Sequence, residues 1–290
     1  MLKYWLFIVC FMFSAISMAQ NESVKLFPGN APGEREKQFE KQVDGGNVGG
    51  RPVIRLTDVG EPEITFYQAP ASIATDVAML VCPGGGYRIL AYDLEGVEVC
   101  EWLNKLGVTA VLLKYRVPIR DGRDRYEAPL QDVQRAMGYV RYHAQKWNIN
   151  PSRIGVMGFS AGAHLSVMAS TQYQQRTYPR IDAADDTDCR PDFCLLVYPA
   201  YLSGEIFGLA PEITVTRNTP PTMIVQTQDD KNHINSSLFY YYALKEAGVP
   251  ARMHLYSKGG HGYGLRNTSA PVNEWNQRAE DWLREMDFIK

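Results

Sequence analysis

Cysteine is scarce in this chain, with five in 290 residues, and none stands with histidine at a spacing that builds a zinc site. Histidine is equally sparse, at five. Neither sign of charge dominates: 30 basic residues face 32 acidic ones for a formal net charge of −2, which argues against a nucleic-acid surface. There is no G-x-G-x-x-G fingerprint and no Walker lysine, so a nucleotide cradle is excluded. No internal repeat or Pro/Gly/Ser-rich linker divides the chain, and residues 20–290 read as a single domain. The one long apolar run, Tyr4 to Ile16, is short for a bilayer span. Lys3 precedes it and Ser17-Met18-Ala19 follows it, the pattern of a signal peptide over residues 1–19 cut before Gln20. Cys10 sits inside that run after Val9, a poor lipid-anchor context. The mature protein is therefore expected to be periplasmic or extracellular, with no stable membrane insertion. In that setting Cys189 and Cys194 could close a small disulfide loop; the alternative is that Cys82 and Cys194 are buried thiols on strands.

What is present is an alternation. Strand-like runs cover residues 53–57, 63–68, 77–82, 110–115, 153–157, 193–198, 222–228 and 251–256, and helix-like runs cover 93–106, 130–146, 161–171, 236–247 and 272–286. From Val77 onward each strand is followed by a helix or a long loop. That order predicts an α/β fold with a mostly parallel sheet and helices on both faces. The first two strands have no helix between them and read as an antiparallel N-terminal pair. Residues 172–190 are polar and carry Asp182, Asp185, Asp186 and Asp188, read as a solvated loop rather than a cation site.

Gly158-Phe159-Ser160-Ala161-Gly162 joins an apolar strand to a helix, the context of a G-x-S-x-G nucleophile turn. Small flanking residues let the backbone turn sharply and leave the Ser160 hydroxyl accessible. A serine nucleophile needs an imidazole base and a carboxylate to orient it. In the order Ser, acid, His that open hydrolase sheets use, Asp229 and Asp230 end the run 223–227, and His261 lies in the loop Gly259–Gly264. Counting back from the following helix favours Asp229; Asp230 reaches the base if the turn is tighter. Of the other histidines, His164 reads as helix packing behind Ser160 and His233 as a possible substrate contact. Pro83-Gly84-Gly85-Gly86-Tyr87 follows a strand and suits an oxyanion loop, with Gly85, Gly86 and the Ala161 N–H as donors and Tyr87 as a substrate contact. Chemistry of this kind requires neither metal nor organic cofactor.

The segment 83–87 resembles the His-Gly-Gly-Gly motif of esterases related to hormone-sensitive lipase, with Pro83 in place of the histidine. The resemblance extends through Leu26–Gly29, Ala31–Gly33, Leu113–Arg116, Asp132 to Ala136, Gly158–Leu165, Ser237 to Leu244 and Gly248 to Leu265. Together these are similar to exported bacterial α/β hydrolases of the acetyl xylan esterase-like group. The resemblance implies an α/β hydrolase fold and an exported serine esterase that removes acetyl or similar small acyl groups from plant or algal polysaccharide, an acylated carbohydrate being its only expected partner. The same superfamily holds short-chain carboxylesterases and feruloyl esterases. Two further readings are a prolyl-type peptidase and a non-catalytic carbohydrate-binding protein on a decayed hydrolase.

Overall fold

The computed structural model describes residues 21–290. The leader expected over residues 1–19, with Cys10, lies outside the described residues. The strands are β1 (Glu22–Lys25), β2 (Lys41–Val48), β3 (Arg51–Thr57), β4 (Glu63–Tyr67), β5 (Ala78–Cys82), β6 (Leu90–Ala91), β7 (Thr109–Lys114), β8 (Ile154–Phe159), β9 (Cys194–Val197), β10 (Thr222–Thr227) and β11 (Ala251–Tyr256). The helices are α1 (Glu98–Lys105), α2 (Glu127–Tyr142), α3 (Ala161–Thr171), α4 (Ile234–Glu246) and α5 (Trp275–Glu285). Eight strands form one sheet in the order β1-β4-β7-β5-β8-β9-β10-β11. All neighbours from β7 to β11 run parallel, while β1–β4 and β4–β7 are antiparallel. This is the mixed, mostly parallel sheet of an α/β hydrolase.

An antiparallel N-terminal pair is present at the sheet edge, but its members are β1 and β4. The two runs expected to pair, at 53–57 and 63–68, go to different sheets: β3 joins β2 and β6 in a separate three-stranded sheet. Only Val53 and Leu56 of β3 are buried, and a strand so largely solvated does not suit the interior of the main sheet.

The central strands read as continuous apolar runs because both of their faces are buried. Leu80, Val111, Val156, Leu196 and Ile224 point to one side, packing with α2, α3 and α4 residues such as Val133, Leu165 and Tyr240. Val81, Leu112, Met157, Leu195 and Val225 point to the other, against Trp102 of α1 and Trp275 and Trp282 of α5. Successive residues on a strand face opposite ways, so each strand seals two cores at once.

All four cysteines among the described residues are buried free thiols. Of the two alternatives, the Cys189–Cys194 disulfide is not formed, Cys189 Sγ lying 3.4 Å from the Tyr173 carbonyl, and Cys82 and Cys194 are buried thiols inside β5 and β9. Burial pushes the Cys194 thiol up to about 12. The acidic run is held by cations, Asp182 and Asp185 by Arg135 and Asp186 by Arg180. No helix among the described residues is long and apolar enough to cross a membrane.

Candidate active site

Two turns at the C-terminal edge of the sheet build the site, as open parallel sheets do. The first follows β8. Ser160 adopts φ 51° and ψ −116°, a conformation an L-residue holds only when its surroundings force it. The forcing is steric. A side chain on Gly158 would stand 2.1 Å from the Gly162 carbonyl oxygen, and one on Gly162 would stand 2.0 Å from that of Cys82. With both positions reduced to glycine, α3 starts directly beneath the serine.

The second turn follows β10 and meets the loop after β11. His261 Nε2 lies 2.7 Å from Ser160 Oγ, and His261 Nδ1 lies 2.7 Å from Asp230 Oδ2. A carboxylate only accepts, so Nδ1 carries the proton and Nε2 is left free to accept from the serine hydroxyl. The preference for Asp229 is thereby corrected. Helix α4 begins at Ile234, so the turn is the tighter of the two alternatives and brings Asp230, 6% exposed, to the imidazole. Asp229 faces outward and accepts the N–H groups of Gly260 at 2.9 Å and Gly259 at 3.2 Å. Those bonds hold its carboxyl below the ordinary range and shape the loop that carries the histidine.

Gly85 and Gly86 have φ of 133° and 65° and line the same cleft as Ser160 and His261. Ala161 opens α3, where a first-turn N–H has no partner within the helix. The cleft has a volume of about 380 Å³, with Val48, Val53, Ile89 and Leu94 as its apolar wall. Tyr87 does not meet that cleft. It is fully buried, its hydroxyl 2.7 Å from His164 Nδ1, so its expected role as a substrate contact is corrected to a brace behind the glycine loop. The pairing also accounts for His164, whose burial lowers its pKa. His233 stands with its ring centroid 4.9 Å from that of His261, and burial followed by the His261 charge lowers its pKa. Asp230, His233 and His261 each offer a ligand atom within 4.8 Å of the others. A metal there would have to displace the Asp230–His261 hydrogen bond.

Sequence reasoning missed Glu95. It is buried beside the cleft; its Oε2 accepts the Gly84 N–H at 2.7 Å and its Oε1 accepts the Tyr198 hydroxyl at 2.8 Å. Tyr198 in turn accepts the Gly264 N–H at 3.1 Å. One carboxylate thus ties the glycine loop to the histidine loop. Desolvation raises its pKa, opposed by Tyr198, by Gly84 and by the charge of His261. A glutamate within a helix-like run offers no signal for this, because its partners are remote in sequence.

The solved acetyl ester-xyloside bifunctional hydrolase from Caldicellulosiruptor lactoaceticus is 34% identical, with a TM-score of 0.70, over 79% of this chain and 90% of its own. The chain belongs to the acetyl xylan esterase-like α/β hydrolases. An acetylxylan esterase from Xylanibacter ruminicola is 30% identical over 82% of this chain and 51% of its own length. An endo-1,4-beta-xylanase B from Butyrivibrio fibrisolvens is 30% identical over 65% of this chain and 33% of its own. The chain spans from about a third to about half the length of these two curated relatives. A family model described as BD-FAE matches residues 71–191, the stretch holding the glycine loop and Ser160. The prolyl oligopeptidase family matches residues 205–287, the stretch holding Asp230 and His261. Within the glycine loop Pro83 donates no N–H, but its carbonyl accepts the Tyr115 hydroxyl at 2.6 Å.

Proposed function

We propose that this protein is an exported serine esterase, one domain over residues 20–290, that removes acetyl or similar small acyl groups from plant or algal polysaccharide. The observation that carries the reading is the continuous relay Asp230–His261–Ser160, with 2.7 Å at each link, opening on a cleft lined by Gly85 and Gly86. The relatives named for acetylxylan and xyloside chemistry favour an acylated carbohydrate. The leader pattern in residues 1–19 favours export.

In this mechanism Ser160 Oγ attacks the acyl carbonyl while its proton passes to His261 Nε2. Asp230 holds the imidazole in the required tautomer and stabilises the cation that forms. The N–H groups of Gly85, Gly86 and Ala161 take the developing oxyanion. The sugar oxygen leaves with the proton from His261, forming an acyl ester on Ser160. Water then gives a proton to His261 Nε2 as its oxygen attacks the acyl carbon; the Ser160 Oγ–acyl bond breaks, His261 returns the proton to Oγ, and the carboxylic acid leaves.

The test is release of p-nitrophenol from p-nitrophenyl acetate, and of acetate from acetylated xylan, by the purified chain and by Ser160→Ala. The variant is expected to lose roughly 10⁵-fold or more in kcat while keeping its fold. Equal activity in both proteins would refute the mechanism; activity on the small ester alone would refute the polysaccharide assignment. The match to the prolyl oligopeptidase family over residues 205–287 supports a second reading, peptide hydrolysis by the same triad. Turnover of a proline-containing chromogenic peptide at a rate exceeding that on esters would favour it.

A further inference from the structure

Across Tyr201 from the glycine loop lies a second depression that the chemistry above does not use. It has a volume of about 520 Å³ and is lined by Arg125, Tyr201, Ser203, Ile206, Leu209 and Glu212 among others. We propose that this groove is the subsite for the glycan that carries the ester, an uncharged pyranose chain running past the oxyanion loop. The inference rests on the carbohydrate reading given above and deepens it.

Position is the first argument. Tyr201 bridges the groove to the reacting groups: its hydroxyl lies 3.5 Å from where a Cβ on Gly86 would stand. Its ring meets His233 edge-on at 5.8 Å, and His233 in turn packs against His261. A ligand resting on Tyr201 therefore lies beside Gly86 of the oxyanion loop.

Chemistry is the second. Tyr201 is held in place, at φ 59°, with the Arg125 guanidinium 4.5 Å over its ring and the buried Tyr87 stacked at 6.3 Å. Glu212 is anchored from behind. The buried His164, whose Nδ1 meets the Tyr87 hydroxyl, has Nε2 3.5 Å from its carboxylate, and this contact holds the Glu212 carboxyl below its ordinary range. The groove thus offers donors on Arg125, Ser203 and Tyr201, and acceptors on Glu212 and Glu205. Ile206, 86% exposed, and Leu209 supply apolar wall. A sugar ring presents this same mixture of hydroxyl rim and C–H face. An acyl chain would leave the charged groups desolvated without partners. An anionic ligand would meet two carboxylates against one guanidinium.

The experiment compares kcat/KM on acetylated xylohexaose with kcat/KM on p-nitrophenyl acetate for the full chain, Arg125→Ala and Ser203→Trp. Loss of a hydrogen bond to a charged group predicts that the ratio falls roughly tenfold in Arg125→Ala, carried by KM rather than kcat. Ser203→Trp, which fills the groove, is expected to lower it further. Calorimetry of unacetylated xylohexaose with Ser160→Ala, with and without Arg125→Ala, reads binding apart from turnover: affinity should drop by the same factor. An unchanged ratio with unchanged xylohexaose affinity overturns the assignment. So does a change in preference among p-nitrophenyl esters of different acyl length, which would give the groove to the acyl group. Absence of ester turnover by the unaltered chain would instead defeat the esterase reading, and the calorimetric comparison would still report on the groove.

Discussion

The turn after β8 and the turn after β10 each deliver a reacting side chain to the same edge of the sheet, yet only the first announces itself. After β8, the geometry is imposed by two backbone contacts that no side chain survives, at Gly158 and Gly162. The sequence must therefore show glycine at both places, and Ser160 between them is unambiguous. After β10, two carboxylates stand side by side and either is chemically adequate. The choice falls to Asp230 because α4 starts at Ile234, a matter of helix onset and not of residue type. Steric necessity leaves a signature in the chain; a choice between equivalent groups does not.

The sharpest way to break this contrast is to remove one charge from each member of the pair. Asp230→Asn keeps the volume but offers an amide to His261 Nδ1, favouring the wrong tautomer. We expect kcat on p-nitrophenyl acetate to drop by about 10⁴. A loss under tenfold would mean that Asp230 does not orient the base. The next effect belongs to the first turn. Gly162→Ala drives a methyl group to 2.0 Å from the Cys82 carbonyl, a backbone atom in the middle of the sheet. Unfolding by urea should show a loss of about 2–3 kcal/mol or more, or failure to fold; an unaltered midpoint would show that the packing is slack. Third comes Asp229→Asn, which keeps one acceptor for Gly259 and Gly260 and leaves the Asp230 relay intact. Its kcat should fall by no more than about tenfold, the worth of one hydrogen bond to a charged group. A loss equal to that of Asp230→Asn would erase the distinction between the two carboxylates.

Much of the fold was legible for a related reason. Strands buried on both faces must be apolar throughout, and from β5 to β11 the strands of the main sheet are separated by a helix or, between β9 and β10, a long loop. The second sheet was not legible. Its longest strand, β2, reads Lys-Gln-Val-Asp-Gly-Gly-Asn-Val and is mostly exposed, so no apolar pattern marks it. Its neighbour β3 was matched to the adjacent run simply because nothing intervenes. Tyr87 misled for another reason. An aromatic residue next to an oxyanion loop suits a substrate platform, but whether it faces the cleft or the core depends on its left-handed backbone, φ 59°, and on the imidazole of His164 behind it.

Glu95 provides the subtlest comparison, since it joins the glycine loop to the histidine loop and belongs to neither turn. Burial raises its carboxyl above the value it has in the unfolded chain. The folded protein therefore holds that proton more tightly than the unfolded one does. This contribution to stability is fully present below the unfolded carboxylate range, at about pH 4, and is lost as pH rises through the higher folded value. Above that folded value the ionised group is a liability for folding, offset by the hydrogen bonds its two oxygens accept from Gly84 and Tyr198. Glu95→Gln removes the charge and keeps an acceptor for the Gly84 N–H, while its amide faces Tyr198. The variant should show a higher Tm than the unaltered chain at about pH 8, with the gap closing towards pH 4. Its kcat should fall by less than about tenfold, because no reacting atom is touched. A Tm difference that is constant across that range would show that the carboxyl does not titrate with folding, leaving its hydrogen bonds alone to account for its position.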